Sequence, residues 1–306
     1  MLLNTEELSD AGKPVLCCPC WAVRSRTMTL ARPPFSVRTG HNEPYDYAPY
    51  DGVPRHLLGA LQQWVAQHFS RDDEYAVEAC LRLRMAPLPG QTAYDALVSA
   101  DGMDLLDVVD VILGWEQPED GEVLGLGGDF EGHLARILDA AGSAYRVDDA
   151  GTGLEERVVP TVRDAVSQTI DDASTALDAG SAAEHLSLSW QAAYGLHPDP
   201  VRAYSEAIKA VESAAHAVVE PNNSKATLGT MMRVLRDASP KFTNALGAGS
   251  TAPAEAMMRA LWEGQTSRHG GQGGTVPETL EAARAGVHAA ATLVQWFTSG
   301  AIARAS

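Results

Sequence analysis

Arginine and histidine stand side by side at Arg268-His269, inside a stretch from Gly264 to Gly274 that holds five glycines. A histidine exchanges its proton near neutral pH, and a guanidinium grips a phosphate through two parallel hydrogen bonds. Adjacent side chains can converge here because a glycine-flanked chain is free to turn. On these residues alone the pair caps a loop or holds a phosphate without cutting it. Arg259 is too far upstream of His269 to replace Arg268. His288, four residues beyond Arg284 on an alanine-rich stripe, reads as a core or interface histidine. Glu212 falls midway along a helix and reads as a surface residue that could at most steady an arginine.

Other clusters compete less well. Cys17-Cys18-Pro19-Cys20 has no matching Cys/His pair downstream, so it lacks the second half of a zinc site. Asp101, Asp104, Asp107 and Asp110 drift around one helix surface, whereas a calcium loop needs alternating carboxylates on a loop; they read as a solvated acidic face. Gly125-Leu126-Gly127-Gly128 lacks the third glycine of a dinucleotide fingerprint and reads as a linker. No Gly-x-Ser-x-Gly elbow, HExxH or phosphate-loop motif occurs. No cofactor and no metal are expected.

The elements that must position Arg268-His269 are helices. Asp199 can cap one, Pro200 suits its first turn, and Ala207, Ile208, Val211, Ala214, Ala215, Val218 and Val219 recur on one face. Pro221-Asn222-Asn223-Ser224 ends it and offers a cap to a second helix. That helix buries Leu228, Met231, Met232 and Leu235 and turns Arg233 and Arg236 outward. A short helix over Ala254–Trp262 precedes the glycine-rich stretch. A last helix follows, with a Thr275/Glu278 capping box and a stripe through Leu280, Ala283, Val287, Ala290, Val294 and Phe297. This is a bundle of about four helices. Upstream, helices are expected near 56–69, 74–85, 92–113 with a break at Gly102, 129–141, 160–173 and 182–194. A small hairpin pairs Tyr145–Val147 with Leu154–Val159.

The expected fold is therefore mainly α: a helical N-terminal domain with a small β-hairpin, then a helical bundle. We place the domains at 28–180 and 181–306, with 1–27 as a leader or misassigned start ahead of Met28. No apolar run is long enough to span a bilayer, so no membrane is expected and the default is cytoplasmic. The net charge of −17 is uneven. Residues 201–306 hold ten Lys/Arg against eight Asp/Glu, a balance of +2, so the remainder carries −19. Local field decides whether a phosphate backbone can approach, and the C-terminal part does not forbid RNA.

The wording of that part resembles the C-terminal domain of bacterial abortive-infection proteins. The matching pieces are Ala207-Ile208-Lys209-Ala210-Val211-Glu212, Pro221-Asn222-Asn223, Lys225-Ala226-Thr227-Leu228-Gly229 and Arg268-His269-Gly270. Upstream, Phe35-Ser36-Val37-Arg38-Thr39-Gly40 and Gly52-Val53-Pro54-Arg55 are similar to the opening of AbiJ-like N-terminal domains. The resemblance implies a HEPN-like bundle and a phage-defence effector that acts as a homodimer through that bundle, answering an unknown phage or cellular trigger. It further implies a metal-independent endoribonuclease: a histidine moves the 2′-hydroxyl proton, an arginine stabilises the phosphorane-like charge, and a 2′,3′-cyclic phosphate results. Family members separate that arginine and histidine by four to six residues, and here Arg268 and His269 are adjacent. The alternative is a non-catalytic RNA-binding or protein-interaction module of the same fold.

Overall fold

The computed structural model describes residues 35–42, 49–69, 74–115, 130–245, 250–268 and 274–305. The Cys17–Cys20 cluster, Tyr45, Tyr47 and the Gly125–Gly128 stretch lie outside them. Residues 1–47 form one unit and 48–306 another. Within the first, Phe35–Arg38 makes a single turn of helix, α1. Gly40 then takes a φ of +73°, a left-handed value that favours glycine.

Residues 48–306 carry two apolar cores. The first opens with α2 (Arg55–Ala66), whose Leu57, Leu61, Trp64 and Val65 recur at helical spacing and are buried. α3 (Glu74–Leu83) and α4 (Ala93–Val98) follow. Thr92 starts α4 with a reciprocal cap: its hydroxyl accepts from Asp95 N at 3.1 Å, and the Asp95 carboxylate accepts from Thr92 N at 3.1 Å. Gly102, at φ +56°, separates α4 from α5 (Gly102–Leu113). α6 (Phe130–Ala141) adds Leu134 and Leu138. β1 (Tyr145–Val147) and β2 (Leu154–Glu156) pair antiparallel with Val147 opposite Leu154. Gly151, φ +75°, supplies the turn between them. All these side chains, with Leu196 from further along the chain, make one core.

The second core begins in α7 (Pro160–Thr175), through Val166 and Ala173. It continues in α8 (Ala182–Tyr194), α9 (Pro200–Val219) and α10 (Leu228–Asp237). β3 (Phe242–Asn244), α11 (Ala252–Gly264), α12 (Leu280–Thr298) and β4 (Ile302–Arg304) complete it. α9 is central and packs most extensively on α8 and α12. Ala203, Ala207, Ala210 and Ala214 on α9, with Ala283 and Ala290 on α12, are buried and let the helices approach closely. Fully buried Leu228, Met231 and Leu235 anchor α10, each adding about 2 kcal/mol of transfer free energy.

Asp199 caps α9 as its sequence indicates, accepting from Arg202 N at 3.0 Å, with Pro200 in the first turn. α10 begins later than its Asn-rich corner suggests. Thr227 is its cap, paired reciprocally with Thr230, while the Asn223 side chain accepts from Lys225 N at 3.1 Å and closes the corner as a turn. The bundle also holds more than four helices: α7 to α12 all contribute to its core. β3 and β4, absent from the sequence reading, pair Phe242 with Arg304. The Arg304 guanidinium donates to Val218 O and Val219 O at 2.8 and 2.9 Å, satisfying carbonyls at the end of α9 that have no helical partner. Among the described residues no helix is long and apolar enough to cross a membrane.

Candidate functional site

Arg268 closes a 3₁₀ turn, Thr266–Arg268, that follows α11 and precedes the last long helix. His269 lies outside the described residues. The turn is tethered through its first two residues. Thr266 Oγ1 donates to Val276 O at 2.7 Å, and both the N–H and the hydroxyl of Ser267 donate to Glu278 Oε1 at 2.9 Å. Glu278 is only 6% exposed, and among the described residues its Oε2 has no hydrogen-bond partner.

The Thr275/Glu278 capping box is therefore not what starts α12. Pro277 disfavours a helical conformation at Val276, so residues 274–279 run without helix and Thr279 caps instead, accepting from Ala282 N at 3.2 Å. Glu278 is thereby released to hold the Ser267 turn. Tyr204 of α9 packs into the same corner: burial first, and the Glu278 charge second, push its phenol above the ordinary range.

A second cluster joins the hairpin to α8 and α12. Glu155 of β2 is buried; it accepts from Trp190 Nε1 at 2.9 Å and pairs with Arg146. The next residue, Glu156, pairs with Arg284 of α12. Arg284 Nε donates to Ala193 O at 3.2 Å, and its guanidinium lies 4.7 Å from the centre of the Tyr194 ring. One turn on, His288 Nε2 meets Tyr194 Oη at 2.8 Å, and burial lowers the imidazole pKa. The helix thus brings Arg284 and His288 onto one face, a relation their spacing encodes. Arg284 is nonetheless occupied by a carboxylate, a carbonyl and an aromatic face, so this cluster rivets the hairpin to the bundle.

The acidic face of α5 is only partly solvated. Asp107 pairs with His197 at 2.7 Å, and Asp110 accepts from Leu154 N at 2.6 Å. Burial raises the Asp110 carboxyl against that hydrogen bond. Glu212 is more than a surface residue: its carboxylate accepts from Leu228 N at 2.6 Å, at the first residue of α10. Cys80 is buried, and desolvation pushes its thiol up, away from reactivity. Among the described residues no group of three or more His, Cys, Asp or Glu could hold a metal ion.

No family model, no curated protein and no solved structure matches this chain.

Proposed function

We propose that this chain is a phage-defence effector of the abortive-infection type that acts on RNA. Its C-terminal bundle would form the homodimer, and Arg268 with His269 would be the pair at the reacting phosphate. The supporting observation is the tether of the Arg268 turn. Burying a carboxylate with one oxygen unpartnered costs free energy, and Glu278, just ahead of α12, carries that cost beside the turn where the family resemblance puts its arginine. Such expense goes into placing a turn accurately. Arg268 would hold the phosphate and offset charge on the nonbridging oxygens; His269 would take the 2′-hydroxyl proton.

Expression of wild type beside the Arg268→Ala/His269→Ala double variant tests the reading. Wild type should arrest growth and degrade RNA, and the variant should do neither. Equal harmlessness of the two, with intact RNA, would remove it.

A further inference from the structure

We propose that the cleft between α10 and α11 binds a nucleotide unit through its phosphate. The cleft encloses about 360 Å³, within the range of small-molecule sites. Arg233 and Arg236 line it from one turn of α10, and Arg259 faces them from α11, against Glu255 and Glu263. Three cations and two anions leave it at +1 in a chain of −17. Arg259 pairs with Glu255, and Arg236 pairs with Asp237 at 2.9 Å. Exposed Arg233 has no ion-pair partner among the described residues. A planar guanidinium is the side chain best matched to phosphate oxygens, and low-dielectric cleft walls concentrate its field.

The chemistry of the wall narrows the ligand. Trp262 lines the same cleft and is seated on the start of α10, where a Cβ at Gly229 would stand 3.0 Å from its ring. An anionic group beside a flat apolar one is the signature of a nucleotide, and it suits an acidic peptide less well. The nucleotide can arrive free or as part of an RNA strand. Only the RNA source rests on the function proposed above.

The full chain should be titrated with a fluorescein-labelled single-stranded RNA oligonucleotide and, separately, with adenosine monophosphate, at several salt concentrations. Arg233→Glu tests the cleft, and Arg202→Glu makes the same charge change at an exposed site away from the cleft, on α9. At least one probe should bind, Arg233→Glu should weaken it more than about tenfold, and Arg202→Glu should leave it nearly unchanged. Binding of adenosine monophosphate alone identifies the free nucleotide as the source; binding of the oligonucleotide identifies RNA. Failure of both probes, equal weakening by the two variants, or better competition by a polyglutamate peptide would each overturn the proposal. A cleft that binds while Arg268→Ala/His269→Ala matches wild type leaves this site standing and removes the nuclease. RNA cleavage that Arg233→Glu leaves untouched in both kcat and KM does the reverse.

Discussion

Tyr204 of α9 lies against Gly286 of α12: a Cβ built at Gly286 would sit 3.1 Å from Cε2 and 3.2 Å from Cδ2 of the ring. Glycine in a helix interior ordinarily weakens it by up to about 1 kcal/mol relative to alanine, so replacement by alanine is normally a gain. Here the neighbour is a buried ring that cannot easily move. Gly286→Ala should therefore destabilise by about 1–3 kcal/mol. Gly59 on α2 has open space where its Cβ would go, and Gly59→Ala should stabilise by about 0.5–1 kcal/mol. Urea unfolding of both variants checks the opposite signs.

The Glu156–Arg284 pair predicts an asymmetric cost. Glu156→Ala leaves Arg284 its carbonyl and its aromatic face, and should lose about 1 kcal/mol. Arg284→Ala loses all three contacts and should lose about 2–3 kcal/mol. In the double variant the pair itself should couple by no more than about 1 kcal/mol, because Glu156 is 44% exposed on its side chain and water screens it. Equal losses from the two single variants would contradict the packing described.

His68 should make stability fall in mild acid. Its ring packs edge-on 3.6 Å from the Phe130 ring centre and beside Trp64, and burial lowers its pKa to about 4, against a raising contribution from Trp64 O. Unfolded, it titrates near 6.5. Between those values the unfolded chain binds more protons, so stability present above pH 6.5 is lost progressively as pH falls toward 4. The loss is on the order of 2–3 kcal/mol. His68→Phe should flatten that part of the stability–pH curve. An unchanged slope would mean that His68 does not carry the effect.

Glu278 gives a sharper test of the tethered turn. Glu278→Gln keeps an oxygen for the Ser267 N–H and hydroxyl while removing a buried charge, so stability should stay within about 1 kcal/mol of wild type or rise. Glu278→Ala leaves the half-buried Ser267 donors without their carboxylate and should lose about 1 kcal/mol. If the turn serves RNA chemistry, Glu278→Ala should also lower kcat, and Glu278→Gln should retain most of it.

What the sequence revealed, and what it withheld, follows from the range of the physical signals. Helices announced themselves through local periodicity and caps: Asp199-Pro200 before α9, Thr92 before α4, the 182–194 stripe of α8, and Gly151 in the hairpin turn. Each is a relation within a few residues. The 275–278 box failed because Pro277 competes with it, and that competition is also local and could have been weighed. The Glu155–Trp190, Glu212–Leu228 and Tyr204–Gly286 contacts could not be read, because they join residues on different elements and depend on how helices pack. The same limit applies to the arginine cleft: Arg233 and Arg236 were visible as an outward face of α10, but nothing in the chain order said that Arg259 and Trp262 would stand opposite.

The chemistry of the cut ends tests the central claim most directly. Purified wild type should be incubated with a single-stranded RNA in the presence of a chelator, and the products analysed by mass spectrometry. The account predicts 2′,3′-cyclic phosphate and 5′-hydroxyl ends that vanish in His269→Ala. Uncut RNA, or 3′-hydroxyl ends that persist in His269→Ala, would contradict it.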